Sequence, residues 1–290
     1  MITTGKDILE AENMLDTITN GLAKIEYQDY GGRLHASSTG YCARQGALQA
    51  TFEGNKKYEA QSAIYFEIGI AIENVILNAL DNQKRLFFRQ YALPENPINL
   101  GGRVDGIVLY KGKVHCLEIK SCGQLPSKPN SEHVAQLAIY SACTGFPGLL
   151  LYVSRHVQNP NGSLKMKMFD LGFDENMLEQ SLSNAASAYF SSKNNFMPDI
   201  PDYITGENDC GFCPFKDVCW NFGDSHLEFL GVSERESIEH VTDDFISSYM
   251  KNSELSKRRN GVLKYLSING NKTAKYFLDG ETWDDFLIEY

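Results

Sequence analysis

The sequence predicts an α/β fold in which a mixed β-sheet is flanked by helices. Three observations predict it. Apolar residues recur at helical spacing over 60–80: Ile64, Ile68, Ile72, Val75, Ile76, Ala79 and Leu80. Three strand-like segments follow, at about 86–93, 101–110 and 113–120. Short turns separate them, which makes them antiparallel neighbours. A helical stretch over about 131–144 then stands between the strand at 113–120 and another at 148–154. A helix between two strands implies a parallel crossover, so the sheet is mixed.

The remaining elements fall around this core. Ile8, Leu9, Met14, Leu15 and Ile18 give residues 5–26 a helical spacing, broken by Tyr30-Gly31-Gly32. A second helical stretch follows Ser37-Ser38-Thr39, which offer a hydroxyl as N-cap. A strand at about 164–170 and a helix over about 174–193 come after 148–154. Pro198 and Pro201 then lead into cysteines at 210–219. The tail reads as helices near 240–267 and a hairpin around Asp279-Gly280. A chain of 290 residues, at roughly 150 per domain, is one large domain with extensions. The divisions read here are an N-terminal helical region (1–59), a core (60–200), a cysteine segment (201–222) and a C-terminal extension (223–290).

Hydrophobic residues make up 42% and charged residues 22%, which excludes a disordered or collagen-like chain. No uninterrupted apolar run approaches the roughly 18 residues that span a bilayer; residues 148–153 are among the longest. Met1 to Glu10 carry Lys6, Asp7 and Glu10 and lack the apolar stretch of a signal peptide. The expectation is a soluble, cytoplasmic protein without a membrane partner. A net charge of −10 works against nucleic acid as a partner, although local basic strips outweigh the sum. Seven cysteines without an export signal favour metal ligation over disulfides.

The segment 102–120 carries the chemistry. With Lys111-Gly112 as a two-residue loop, paired residue numbers sum to 223, so Asp105 falls opposite Glu118 and Arg103 opposite Lys120. A bulge at Gly112 would shift this by one. Opposed carboxylates on a strand pair repel. The alternating Val104, Val108, Leu117 and Ile119 mark the strands as buried. Such a pair calls for a hard divalent cation, Mg²⁺ or Mn²⁺. Lys120 shares the face of Glu118 and suits orienting a water or neutralising a phosphate. A solvated surface hairpin is the plain alternative. Glu73 sits at the edge of the apolar face of helix 60–80. Gln136 and Tyr140 are an i, i+4 pair, with His133 at i−3.

Gly69…Glu73, Val104-Asp105, Glu118-Ile119-Lys120 and Gln136…Tyr140, in this order, resemble the PD-(D/E)XK nuclease superfamily, in particular its RecB-like branch with a QxxxY element. The resemblance spans about residues 60–155 and implies a restriction-endonuclease-like fold. It implies that Glu73, Asp105 and Glu118 bind Mg²⁺ or Mn²⁺ with the Ile119 carbonyl. Lys120 would be catalytic, and Gln136 and Tyr140 would position DNA or the lysine. Many RecB-like members have His where Glu73 stands, and Val104 replaces the proline of the family name. The implied activity is a DNA exonuclease acting on single-stranded or end-opened DNA, in recombination, repair, viral replication or CRISPR adaptation. A non-catalytic DNA-binding module and a zinc-stabilised endonuclease are the alternatives.

Cys210-x-x-Cys213 with Cys219 places three thiols at metal-ligand spacing. Cys42 is the fourth ligand chosen here, with His226 possible for zinc; Cys116, Cys122 and Cys143 read as small apolar fillers. An early cysteine with a late CxxCx₅C also resembles the iron-sulfur members of the same superfamily, the CRISPR-associated RecB-like nucleases and AddB-type nuclease domains. That resemblance implies a [4Fe-4S] cluster, with zinc as runner-up. The cluster would join positions 168 residues apart. For DNA contact, residues 251–275 carry a net +6, including Lys257, Arg258 and Arg259; a solvated helix face is the alternative. Arg44 and Arg103, with Arg85 and Arg89, are further candidates to line a groove. Tyr41, Phe87, Phe88 and Tyr91 are candidate stacking platforms.

Overall fold

The computed structural model describes residues 16–17, 33–51, 60–156, 165–193, 197–206, 210, 213, 215–221, 245–246 and 249–268. The helix expected over 5–26 falls there only at positions 16–17, which are helical. Tyr30-Gly31-Gly32 and the hairpin at Asp279-Gly280 lie outside the described residues.

Two short strands, β1 (Leu34–His35) and β3 (Leu100–Gly101), pair in parallel as a small separate sheet. The main sheet has five strands: β2 (Leu86–Ala92), β4 (Arg103–Tyr110), β5 (Lys113–Cys122), β6 (Gly148–Ser154) and β7 (Met166–Gly172). Their spatial order is β2-β4-β5-β6-β7. Only β5 and β6 are parallel; the other neighbours are antiparallel. The expected mixed sheet is therefore present.

The β4–β5 register follows from its turn. Lys111 (φ 48°) and Gly112 (φ 73°) both occupy the left-handed region, as a two-residue turn matched to strand twist requires. Tyr110 accordingly pairs with Lys113, and the ladder runs to Gly106↔Leu117 without a bulge. Asp105 and Glu118, one step further on, are not part of that ladder.

Helices cover both faces. The helix α1 (Ala36–Thr39) precedes α2 (Ala43–Thr51) and α3 (Ala60–Asn82). The expected hydroxyl cap fails: α1 starts at Ala36 with His35 as N-cap, and the Ser38 and Thr39 hydroxyls donate back to the His35 carbonyl. Helix α4 (Ser131–Thr144) is the β5–β6 crossover. Its N-cap is Asn130, whose side chain accepts the Glu132 N–H at 2.9 Å. Its C-cap is Gly145 at φ 76°, whose N–H reaches the Ser141 carbonyl. Helices α5 (Glu175–Lys193), α6 (Lys216–Asn221) and α7 (Asn252–Ile268) follow. Helix α5 packs on α2 and α4, and α7 on α4.

Period-2 alternation sends β5 side chains to two different cores. Leu117 and Ile119 join Val108, Leu149 and Val153 beneath Ile76 and Leu77 of α3. Cys116 and Val114 join Ile107, Leu109, Leu150 and Tyr152 beneath Leu137, Ile139 and Tyr140 of α4. Each fully buried Leu or Ile contributes about 1.5–3 kcal/mol. Glu118 and Lys120 have the parity of Cys116, so they face α4.

The first half of α3 departs from this pattern. Ile64, Tyr65, Phe66, Ile68 and Ile70 are exposed. The stretch Ser62–Asn82 is long and apolar enough, by length and composition alone, to cross a membrane. Glu67 and Glu73 interrupt its apolar run, which is why no such span stood out as uninterrupted.

Candidate active site

The centre is assembled by the end of the β4–β5 hairpin and the inner face of α4. Lys120 Nζ lies 2.7 Å from Glu118 Oε1 and donates to Gln136 Oε1 at 2.9 Å. Gln136 Nε2 in turn donates to the Tyr140 hydroxyl at 2.9 Å. The i, i+4 spacing thus lets one helix face orient the lysine through a single amide. Asp105 stands across from them, its Oδ2 accepting the Ile119 N–H at 2.7 Å. Glu73 reaches toward the same centre from α3 and accepts from Gln90 Nε2 at 3.0 Å. Gln90 sits at φ 48°, an unusual backbone for an amide side chain in a strand.

Electrostatically the centre holds more negative charge than its own groups offset. Burial, then the charges of Glu118 and Glu73, push the Asp105 carboxyl well above the usual range. Burial also raises Glu118, with the Lys120 ammonium opposing the rise. Burial disfavours the charge on Lys120, but Glu118 and Asp105 outweigh it and keep the ammonium protonated above its ordinary range. The buried Glu118 Oε2 has no hydrogen-bond partner. An uncompensated buried oxygen of this kind is costly unless a cation meets it. Among the described residues, no three His, Cys, Asp or Glu side chains are yet drawn together in metal-ligand geometry. In donor chemistry, the orphaned oxygen and its neighbouring carboxylates fit a hard divalent ion.

A second layer, not anticipated as a unit, borders the lysine. Tyr152, beside Lys120 in the β5–β6 register, takes the Asn130 N–H at 2.9 Å on its hydroxyl. The same hydroxyl lies 2.8 Å from His133 Nδ1. The Tyr152 hydroxyl thus ties the loop before α4 to the first turn of that helix. Burial, and the nearby Lys120 charge, push His133 down to about 3. The i−3 position of His133 on α4 was the one signal that pointed to it.

The four chosen cysteines lie apart from this centre, and among the described residues no three of them are drawn into metal-ligand geometry. All are half-buried and free of disulfides. Burial raises the Cys42 thiol, and Cys219 and Cys210 raise it further. Cys213 is pushed up to about 11 by burial, with Cys219, Cys42 and Cys210 adding to the rise. Cys42 of the N-terminal region and the late CxxCx₅C segment are therefore near enough to interact. The Gln45 N–H points at Cys42 Sγ at 3.5 Å. As soft sulfur donors these cysteines suit a thiolate-bound metal in donor chemistry. Cys116 and Cys143 are buried fillers, bonded to Thr144 and Tyr249 hydroxyls.

The candidate DNA-contacting residues separate sharply. Arg44 is 5% exposed and donates from Nε to the Pro198 carbonyl at 2.6 Å, so it is a buried tie and not a groove residue. Arg258 stacks 3.6 Å over the Tyr249 ring and donates to the carbonyls of Ala142 and Tyr249. Arg259 donates to the Gly145 carbonyl at 2.9 Å. Both guanidinium groups thus serve the carbonyl end of α4, where cations are favoured. They are not part of a free basic strip. Lys257 is exposed and pairs with Glu254 at 2.5 Å; Arg103 is exposed at the start of β4. Lys272, Lys275 and His226 lie outside the described residues. Of the candidate stacking rings, Phe87 and Tyr91 are core residues.

No protein-family model matches the chain. No curated protein is similar to it at a meaningful level. Among solved structures, the crystal structure of SSO0001 is similar at 14% identity with a TM-score of 0.42, over 75% of this chain and 98% of its own. A likeness that distant carries no statement about fold family or activity.

Proposed function

We propose that this chain is a divalent-metal-dependent deoxyribonuclease with a restriction-endonuclease-like core, acting on single-stranded or end-opened DNA. The observation that carries the reading is the buried group of Asp105, Glu118 and Lys120, with Glu118 Oε2 left without a partner and Lys120 held by Gln136. A protein selected only for folding would not bury two carboxylates so close that Glu118 pushes Asp105 up and Glu73 pushes up both.

In this reading Glu73, Asp105, Glu118 and the Ile119 carbonyl would hold Mg²⁺ or Mn²⁺. The bound ion would polarise the scissile phosphate and make a water acidic enough to attack it. Lys120, kept protonated by Glu118 and Asp105, stabilises negative charge that develops on the phosphoryl oxygens. Gln136 fixes the direction of its ammonium, and Tyr140 fixes Gln136. Asp105 is held by the Ile119 N–H, so its free oxygen keeps a constant direction. In this reading the attacking group is water and hydrolysis is direct.

The reading extends to Cys42, Cys210, Cys213 and Cys219 as ligands of a [4Fe-4S] cluster, supported by the mutual influence of the thiols. The cluster would tie the N-terminal region to the segment after the core. A purified protein that is brown with broad visible absorption supports it. A colourless, zinc-containing protein replaces it with the zinc alternative.

The deciding experiment is a gel assay on end-labelled single- and double-stranded DNA with Mg²⁺, Mn²⁺ or EDTA. Cation-dependent shortening that disappears in Lys120→Ala, with DNA binding retained, is the expected result. Cleavage unchanged by Lys120→Ala removes the site. Binding without cleavage in every condition leaves a non-catalytic DNA-binding module.

A further inference from the structure

A cationic side chain lies over an exposed aromatic ring on the helix that carries Glu73. The Arg155 guanidinium carbon is 4.4 Å from the centroid of the Tyr65 ring, and Tyr65 is 43% exposed. The backbone N–H of Arg155 donates to the Cys122 carbonyl at 2.7 Å, which anchors it past the end of β6. Arg155 and His156 lie over Gly123: a Cβ there would sit 3.8 Å from His156 Nε2 and 4.0 Å from Arg155 Nη2. Gly123 is three residues after Lys120. On α3, Gly69 follows Tyr65 by one turn and faces Ser121, with a Cβ there 3.6 Å from its hydroxyl. Glu73 is one turn further. Tyr65 and Arg155 therefore continue the line Glu73–Gly69 along the open end of β5. Among the described residues no ion pair ties Arg155 to a carboxylate.

We propose that Tyr65 and Arg155 form a subsite for an unpaired nucleotide of single-stranded DNA, two turns of α3 away from Glu73; this rests on the nuclease reading above. A guanidinium is planar, so one that rests over a ring has a second face to offer a base and a fork of N–H groups to offer a phosphate. Lysine offers neither plane nor fork. A strand of phosphates is also the occupant whose charge matches Arg155 and complements a centre that must itself be reached by phosphate. Tyr65 is a positioning residue: its ring lies under the Arg155 guanidinium. Neither residue touches the reacting atoms.

The test uses the full chain in EDTA, where no cleavage occurs, with a fluorescein-labelled dT oligonucleotide read by anisotropy. A second oligonucleotide carries one 2-aminopurine, whose emission falls when the base stacks. Arg155→Ala is expected to weaken binding about tenfold, and Arg155→Lys about fivefold despite its retained charge. Tyr65→Ala loses about fivefold, whereas Tyr65→Phe stays within about twofold. The 2-aminopurine quench disappears in Arg155→Lys and Tyr65→Ala but survives in Tyr65→Phe. Both side chains are surface groups, and circular dichroism checks that each variant is folded. If wild type binds and, with Mn²⁺, cleaves while Arg155→Lys and Tyr65→Ala behave identically to it, the subsite is overturned and the nuclease reading stands. If wild type neither binds nor cleaves DNA, that reading falls and the subsite with it. If Tyr65→Ala changes self-association and leaves DNA binding intact, the exposed face of α3 belongs to a second copy of the chain and the subsite is overturned.

Discussion

The Ile119 N–H donates to Asp105 Oδ2 at 2.7 Å, at the place where the β4–β5 ladder has stopped. A carboxylate has replaced a backbone carbonyl as the partner of a strand N–H. Two substitutions at Asp105 should therefore act with opposite sign on stability. Asp105→Asn keeps an acceptor for Ile119 and removes the charge that Glu118 and Glu73 oppose. In EDTA it should resist urea better than wild type by about 1 kcal/mol. Asp105→Ala removes the acceptor and should lose about 1–3 kcal/mol. Equal and same-signed shifts in the two urea midpoints would contradict this account, and both variants should lack cleavage.

Gln136 is bonded on both sides of its amide, to Lys120 and to Tyr140. Gln136→Leu preserves volume but leaves a buried hydroxyl and an ammonium without that partner. The expected loss is about 1–3 kcal/mol in stability and at least about tenfold in kcat, with KM little changed. Steady-state kinetics and denaturant unfolding check both. A tenfold change confined to KM would instead place Gln136 in substrate binding.

His133 gives the protein an acid sensitivity of defined sign. Its folded pKa is pushed down to about 3 by burial and the Lys120 charge, against an unfolded value of about 6.5. Between these values the unfolded chain binds the extra proton. Its contribution to stability is complete above about pH 6.5 and is lost as pH falls toward 3. Thermal unfolding should show a smaller drop between pH 7.5 and 4.5 in His133→Gln than in wild type.

Gly145 tests the attachment of α7. It lies at φ 76°, and a Cβ there would overlap the Leu255 carbonyl oxygen and crowd Arg259. Gly145→Ala should destabilise by about 2 kcal/mol or more, since it adds left-handed strain to a steric clash. Limited proteolysis should then cut near residues 250–260 first. An unaltered melting temperature would show that α7 does not lean on this turn.

The hairpin was legible because Lys111-Gly112 fixes its own geometry, and a fixed two-residue turn fixes every pairing behind it. The meeting of Lys120 with Gln136 was legible through the RecB-like resemblance, while the i, i+4 spacing by itself put only Gln136 and Tyr140 on one helix face. The fates of Arg44, Arg258 and Arg259 were not legible. A long cationic side chain is read from sequence as a surface charge, yet these three find carbonyls at Pro198, Ala142, Tyr249 and Gly145 that only the tertiary fold supplies. Ser38 and Thr39 were misread for a related reason: a hydroxyl near a helix start can serve a preceding carbonyl as well as a following N–H. Tyr152 carried no signal because its role depends on the loop carrying Asn130.

The acid hairpin, α4 and the parallel strand β6 are consecutive in the chain, so everything that grips Lys120 is made within one unbroken stretch of translation. The arginines that brace the far end of α4 are made only after the cysteine segment. A nascent chain would thus own its reactive pocket before its rear support, and a stop codon shortly after the cysteine segment would strand that pocket on an unbraced helix.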